Sequence, residues 1–178
     1  MPSFRQILTA TAALAVVALS APQDVSAQPS LVLGGGLSHP LGDMGDALES
    51  GYHGRVGVEL GIPVFPVAFR ADGAVHRFNG KGTDAGTMNQ IDGALSAVLK
   101  LGGIGLGPYM LAGIGKYRQD YSDALEGADP ETVTGYHAGF GVTLGLLGKG
   151  VFAEARLVNL SVDNGNARYF PLTVGVRF

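Results

Sequence analysis

Three sets of residues in this 178-residue chain have the types and spacing to do chemistry. The first is a group of charges recurring at even separations: Arg55 with Glu59, Arg70 with Asp72, Glu154 with Arg156, and then Asp92, Lys100 and Arg177. Carboxylates held among cations would act as a general acid and base, would conduct protons or ions, or would neutralise one another as a structural plug. The second set is the histidines His39, His53, His76 and His137, since imidazole is the commonest metal ligand. None is spaced from another as in H-x-x-x-H, so no metal site is expected and each reads as a locally hydrogen-bonded rim residue. The third set is acidic: Asp120, Asp123, Glu126, Asp129 and Glu131, with a smaller group at Asp43, Asp46 and Glu49. Oxygen ligands suit Ca²⁺ and Mg²⁺, which makes Asp120, Asp123, Glu126 and Asp129 candidate cation ligands, against the plainer reading of a solvated, repulsive surface.

Other chemistry finds no residues to carry it. Ser38 precedes His39 and Pro40, but no H-x-S arrangement or assembled serine, histidine and acid emerges, so no catalytic residue is assigned. Gly105-Leu106-Gly107 and Gly113-Ile114-Gly115 lack the strand-turn-helix setting and following acid of a nucleotide loop. They read as small residues on an inward face. The chain has no cysteine, which removes disulfides, thiol chemistry and Cys-based metal sites. A net charge of −3 leaves no basic footprint for nucleic acid. No cofactor is expected.

What positions the charges is a set of eight segments of period two. In 169–178 one face carries Phe170, Leu172, Val174, Val176 and Phe178, and the other Pro171, Thr173, Gly175 and Arg177. Segment 52–62 sets Tyr52, Val56, Val58, Leu60 and Ile62 against His53, Arg55, Gly57 and Glu59. The same sorting holds in 67–78, 89–101, 134–146 and 151–160. Arg55, Glu59, Arg70, Asp72, Asp92, Lys100, Glu154, Arg156 and Arg177 all fall on the face opposite the apolar one. Segments 31–38 and 104–117 are Gly-rich, so their parity stays open and they count as strands by position. The chain has 29 glycines, about twice the ordinary share. Its mean hydropathy is positive although no second long apolar run exists.

The links alternate between long (39–50, 80–87, 118–131, 161–168) and short (63–66, 102–103, 148–150). Transmembrane barrels show this asymmetry of external loops and periplasmic turns. In hydrocarbon every backbone polar group must pair inside the protein, so only a closed sheet crosses. An all-β, eight-stranded antiparallel up-and-down transmembrane barrel follows. It would place Phe65, Phe69, Phe152 and Phe178 at the periplasmic belt, and Tyr52, Phe78, Tyr117, Tyr136, Tyr169 and Phe170 at the outer one. Glu59, Arg70 and Glu154 would share one depth, with Lys100 and Arg177 just below and Arg55, Asp72 and Arg156 above. A lumen this narrow is filled by its own side chains, so the charges should pair as a plug. Residues 1–27 read as a cleaved signal peptide: Arg5, an apolar run over 7–21, and Val25-Ser26-Ala27 before the cut. Residues 28–178 form the single barrel domain.

The strand Tyr169-Phe170-Pro171-Leu172-Thr173-Val174-Gly175-Val176-Arg177-Phe178, with its closing Phe178, resembles the assembly signal of bacterial outer-membrane barrels. With Pro108-Tyr109-Met110-Leu111-Ala112-Gly113-Ile114-Gly115, the mature chain resembles the small OmpA/OmpX-type barrel domains. The resemblance implies insertion by the outer-membrane assembly machinery. It also implies outer-membrane lipid and lipopolysaccharide as partners, and a monomer with both termini periplasmic. The function read from this is a non-enzymatic barrel with a plugged lumen and surface loops for interaction or envelope integrity. A small-solute transporter or narrow channel, and a lipid A-modifying enzyme, are the alternatives.

Overall fold

The computed structural model describes residues 29–62, 65–82, 86–102, 106–122, 130–146, 149–162 and 165–178. The expected signal peptide lies outside them. Eight strands follow in order: β1 (Pro29–Leu41), β2 (Gly51–Gly61), β3 (Val67–Asn79), β4 (Thr87–Lys100), β5 (Leu106–Ser122), β6 (Glu131–Leu146), β7 (Lys149–Val162) and β8 (Gly165–Arg177). Each pairs antiparallel with its neighbours in sequence, and β1 pairs with β8 to close the barrel. The seam extends to Phe178, whose backbone exchanges hydrogen bonds of 3.0 and 3.1 Å with Leu31.

Side chains alternate across the wall as the period of two requires. The outward face is apolar over most of its height, with Leu95, Phe140 and Val174 each 64 % exposed. In water so large an apolar surface would drive association, whereas hydrocarbon covers it without cost. The two Gly-rich strands now have a parity. In β1, Val32 and Ser38 point inward and Leu33 and Leu37 outward; in β5, Tyr109, Leu111, Tyr117 and Gln119 point inward.

Two sequence expectations need correction. The last link is not a long loop: β7 and β8 pair as far as Val162↔Gly165, leaving only 163–164 between them. The third long link likewise shortens, because β5 runs on to Ser122 and pairs with β6 up to Gln119↔Glu131. Polar residues such as Ser161 and Arg118 continue a ladder as well as apolar ones once it has left the hydrocarbon, so composition understates strand length there. The first link holds a short helix that no sequence signal announced, α1 (Asp43–Ala47), entered through Gly42 at a φ of 58°. Such a φ is tolerated best by glycine. The link is tied to the next one: Lys81 N–H donates to Ala47 O at 2.9 Å, the Lys81 ammonium donates to Gly45 O, and Glu49 N–H donates to Asn79 O at 2.8 Å.

Candidate functional site

The lumen is stacked in three layers. Nearest the short-turn end, strands β2, β3, β4, β7 and β8 deliver Arg55, Glu59, Arg70, Asp72, Lys100, Glu154, Arg156 and Arg177 to one ionic layer. Glu154 is its hub. It accepts from Arg55 Nη1 at 2.5 Å, from Arg70 Nη1 and Arg156 Nε at 2.6 Å each, and from the Tyr109 hydroxyl at 2.8 Å. Glu59 is the second acceptor, taking Arg70 Nη2 at 2.8 Å, with Lys100 Nζ at 3.0 Å and Arg177 Nη2 at 3.2 Å. Arg156 Nη2 reaches Asp72 at 3.0 Å. Only Lys100 at the lower mouth is substantially wet, its side chain 44 % exposed. Strands β3 and β7 stand four places apart in a ring of eight, so the Arg70–Glu154 and Asp72–Arg156 pairs span the full bore. Arg70 also lies over the Tyr109 ring, 5.5 Å from its centroid.

Glycines opposite the inward aromatics make this packing possible. A Cβ on Gly141 would collide with the Tyr109 ring, and one on Gly175 would come within 2.6 Å of Phe152.

The second layer is polar. Ser38 Oγ lies 3.0 Å from His53 Nδ1 and 2.9 Å from His76 Nδ1; His53 Nε2 meets Thr173 Oγ1 at 2.9 Å, and His76 Nε2 faces Asp92 at 3.0 Å. One proton assignment serves all of them. Thr173 donates to His53, His53 Nδ1–H donates to Ser38, Ser38 donates to His76, and His76 Nε2–H points at Asp92. His137 bonds Ser96 at 2.8 Å within the same region. The histidines thus divide. His39 is the exposed one, bonded locally to Ser50 at 2.7 Å, while His53, His76 and His137 are buried and bond across strands. The expectation of four local rim histidines is corrected for these three. Their signal was available, since each shares the parity of an inward charge or glycine on its own strand.

Ser38, His76 and Asp92 form a serine–histidine–acid line that sequence order concealed, because three strands contribute one residue each. The serine is fully buried, is shared with a second histidine, and bonds Nδ1 while the acid faces Nε2, the reverse of the usual hydrolase arrangement.

The third layer closes the long-loop end. Phe78, Met88, Tyr117, Val133, Val158, Leu160 and Tyr169 pack there under Met44 of α1. Phe78, Tyr117 and Tyr169, expected in the outer belt, are therefore lumen residues, and so is Phe152 at the other end. Parity decides this over position along the strand: Phe78 is in phase with Arg70, and Phe152 with Glu154. Phe65, Phe69, Phe178, Tyr52 and Tyr136 are exposed on the wall as expected. Above the layer a recess of about 390 Å³ opens, lined by Met44, Leu48, Met88, Tyr121, Val162 and Ala167 among others.

Of the candidate cation ligands, Asp120 sits on the outward face at the end of β5 with Arg118 Nε at 3.4 Å. Asp123, Glu126 and Asp129 lie outside the described residues. Among the described residues no group of three or more His, Cys, Asp or Glu side chains is placed to hold a metal ion.

Solved structures with the same fold include the Neisserial surface protein A, at TM-score 0.69 and 19% identity over 84% of this chain and 95% of that one. Ail of Yersinia pestis, the attachment invasion locus protein, aligns at TM-score 0.55 and 14% identity, covering 84% and 97%. The outer membrane enzyme PagL aligns at TM-score 0.53 and 14% identity, covering 84% and 98%. At such identities the likeness is one of fold. No curated protein matches the sequence. The family model described as outer membrane protein beta-barrel domain matches residues 9–178. With a closed eight-stranded barrel and an apolar exterior to match, the chain belongs to that family and to the bacterial outer membrane.

Proposed function

We propose that this protein is a non-enzymatic, non-conducting barrel that anchors its longer links at the cell surface for interaction or envelope integrity. The observation that carries the reading is the ionic layer: Arg70–Glu154 and Asp72–Arg156 cross the bore from opposite walls with their side chains almost wholly buried. Burying charge is tolerable when each group is paired and hydrogen-bonded, and a bore of eight strands leaves room for little else. The apolar layer above and the buried Ser38 argue against solute passage and against catalysis in the lumen. In this reading the links β2–β3, β4–β5 and β6–β7 and both termini face the periplasm, and the links β1–β2 with α1, β3–β4, β5–β6 and β7–β8 face outward. The wall offers no free strand edge for a second copy to extend, in keeping with a monomer.

Planar-bilayer recording on the refolded protein tests it. The expected trace is flat; stable stepwise openings in the wild-type protein would overturn the reading. Mass analysis of lipid A from cells expressing the protein tests the enzyme alternative, with unchanged lipid A expected. A second reading, capture of a small apolar solute, has one observation in its favour: the recess lined by Met44, Leu48 and Met88. Its lining includes the buried Gln119, whose amide reaches Gln90 Oε1 at 3.4 Å.

A further inference from the structure

The hydrogen bonds around Ser38 form one chain across neighbouring strands. β8 supplies Thr173, β1 Ser38, β2 His53, β3 His76 and β4 Asp92, and the closed seam makes these strands adjacent. Thr173 donates to His53 Nε2 at 2.9 Å, His53 Nδ1–H to Ser38 at 3.0 Å, and Ser38 to His76 Nδ1 at 2.9 Å; His76 Nε2 stands 3.0 Å from Asp92 Oδ2. That carboxylate oxygen is buried and takes no hydrogen bond from any other group. The two imidazoles stack with centroids 5.0 Å apart and are 5 % and 4 % exposed. Every link is reversible, because a hydroxyl both donates and accepts and a neutral imidazole donates through either nitrogen. The rings differ in their charged neighbours. His76 has a carboxylate in contact, whereas the charges acting on His53 include Arg55 and Arg156. The other titratable groups facing the chain among the described residues are Asp72 on β3, Tyr117 on β5, His137 on β6 and Tyr169 on β8. From β1 the chain receives no charge, only Ser38.

We infer that this chain is a buried proton-binding site: the His76–Asp92 pair takes up one proton, and the uptake reverses every hydrogen bond from His76 to Thr173. The step balances. Thr173 gives its hydroxyl proton to His53 Nε2 and takes a replacement from water; His53 passes its Nδ1 proton to Ser38, and Ser38 passes its own to His76 Nδ1. One proton has been added in all, and the positive charge rests on His76 against Asp92. His76 Nδ1–H now donates to Ser38, Ser38 to His53 Nδ1, and His53 Nε2–H to Thr173. Each bond survives with donor and acceptor exchanged, so the reversal leaves no member of the chain unpaired. Histidine suits the task because its charge changes near neutral pH. At the far end Thr173 no longer commits its O–H to His53. Thr173 is the register partner of Glu154, so the reversal reaches the strand neighbour of the ionic hub. The site stores a proton and needs no ion to cross the bore, so it goes beyond the reading of a closed lumen and does not depend on it.

The test is NMR of the ring nitrogens in refolded protein carrying isotope-labelled histidine, titrated between about pH 8 and pH 5. At the upper end His53 should carry its proton on Nδ1 and His76 on Nε2. On acidification His76 should gain a second proton while His53 exchanges Nδ1–H for Nε2–H, both at one midpoint. His137, bonded to Ser96 outside the chain, is the internal reference and should keep its tautomer. S38A deletes the hydroxyl between the rings, so His76 should still take its proton while His53 stays fixed. D92N removes the counter-charge, and the step should be lost. Heat-dependent migration on gels confirms that each variant is folded, and the wild-type titration alone shows whether the rings switch together. A purely structural layer would show no exchange of tautomers. Absence of any step over that range, a fixed His53 in wild type while His76 takes its proton, equal switching of His53 in S38A, or an unaltered step in D92N would each overturn the proposal. None of these outcomes touches the bilayer recordings that test the closed lumen.

Discussion

Replacing Glu154 by Gln keeps the shape of the hub and removes its charge. In the ionic layer, Arg55, Arg70, Lys100, Arg156 and Arg177 already outnumber Glu59, Asp72 and Glu154. Without Glu154, Arg55 loses its carboxylate, Arg70 keeps only Glu59, and Arg156 keeps only Asp72. The amide would also point two N–H groups at a ring of guanidinium donors. Removing one partner of a buried ion pair costs about 3–5 kcal/mol, and the side chain is fully buried, so solvent screening offers no relief. With a urea slope of about 2 kcal/mol per molar, the unfolding midpoint should fall by about 2 M. The assay is circular dichroism of the barrel refolded into phosphocholine vesicles, with bilayer recording alongside. A midpoint within about 0.3 M of wild type would refute the reasoning. So would a stable conductance at unchanged stability, since the layer would then be a gate and not a brace.

Lys100→Gln should cost less than about 1 kcal/mol, because its side chain is 44 % exposed at the mouth, whereas Arg70→Gln, in the dry centre, should match Glu154→Gln in the same urea titration. Phe152→Ala should destabilise by about 3–5 kcal/mol as a lumen-packing residue, and a cost no greater than that of Phe140→Ala on the wall would return it to the lipid face. Gly141→Val should misfold or destabilise the barrel by forcing the Tyr109 ring aside; added Tyr109→Ala should recover part of the loss, and a double-mutant cycle with no coupling would refute the contact.

Much of the architecture could be read from periodicity, because a residue's face in a strand depends only on counting by twos. That rule carried Arg55, Glu59, Arg70, Asp72, Glu154 and Arg156 to one side of the wall. For Phe78, Phe152 and Tyr169 the same count points into the lumen, where closeness to a strand end points to a belt, and the structure follows the count. In β1 and β5 glycines fill so many positions that neither face is marked, and parity emerges only once the neighbours fix the register. Depth counted from the short turns already sets Glu59, Arg70 and Glu154 level, but which of the remaining charges meet is not legible. Glu154 reaches Arg55 and Arg70 only because the sheet closes and brings β7 opposite β3, a property of the ring and not of any segment. The strand ends beyond the membrane were likewise hidden, since a backbone ladder in water makes no demand on side-chain polarity.

The crossing of the bore by Arg70–Glu154 and Asp72–Arg156 has a consequence for how the barrel is made. Glu59 and Arg70 belong to one hairpin, 11 residues apart, and can meet as soon as β2 and β3 pair. The pairs of Glu154 with Arg70 and Arg55 join residues 84 and 99 apart and come together only when the last strands swing round to β1. Until then a partly wound sheet would present unmatched charges to the bilayer, where they are expensive. Insertion short of closure is disfavoured, and completion is rewarded in a single step. The layer that blocks the finished lumen is thus also a latch, giving the nascent barrel an all-or-none choice between remaining outside the membrane and entering it whole.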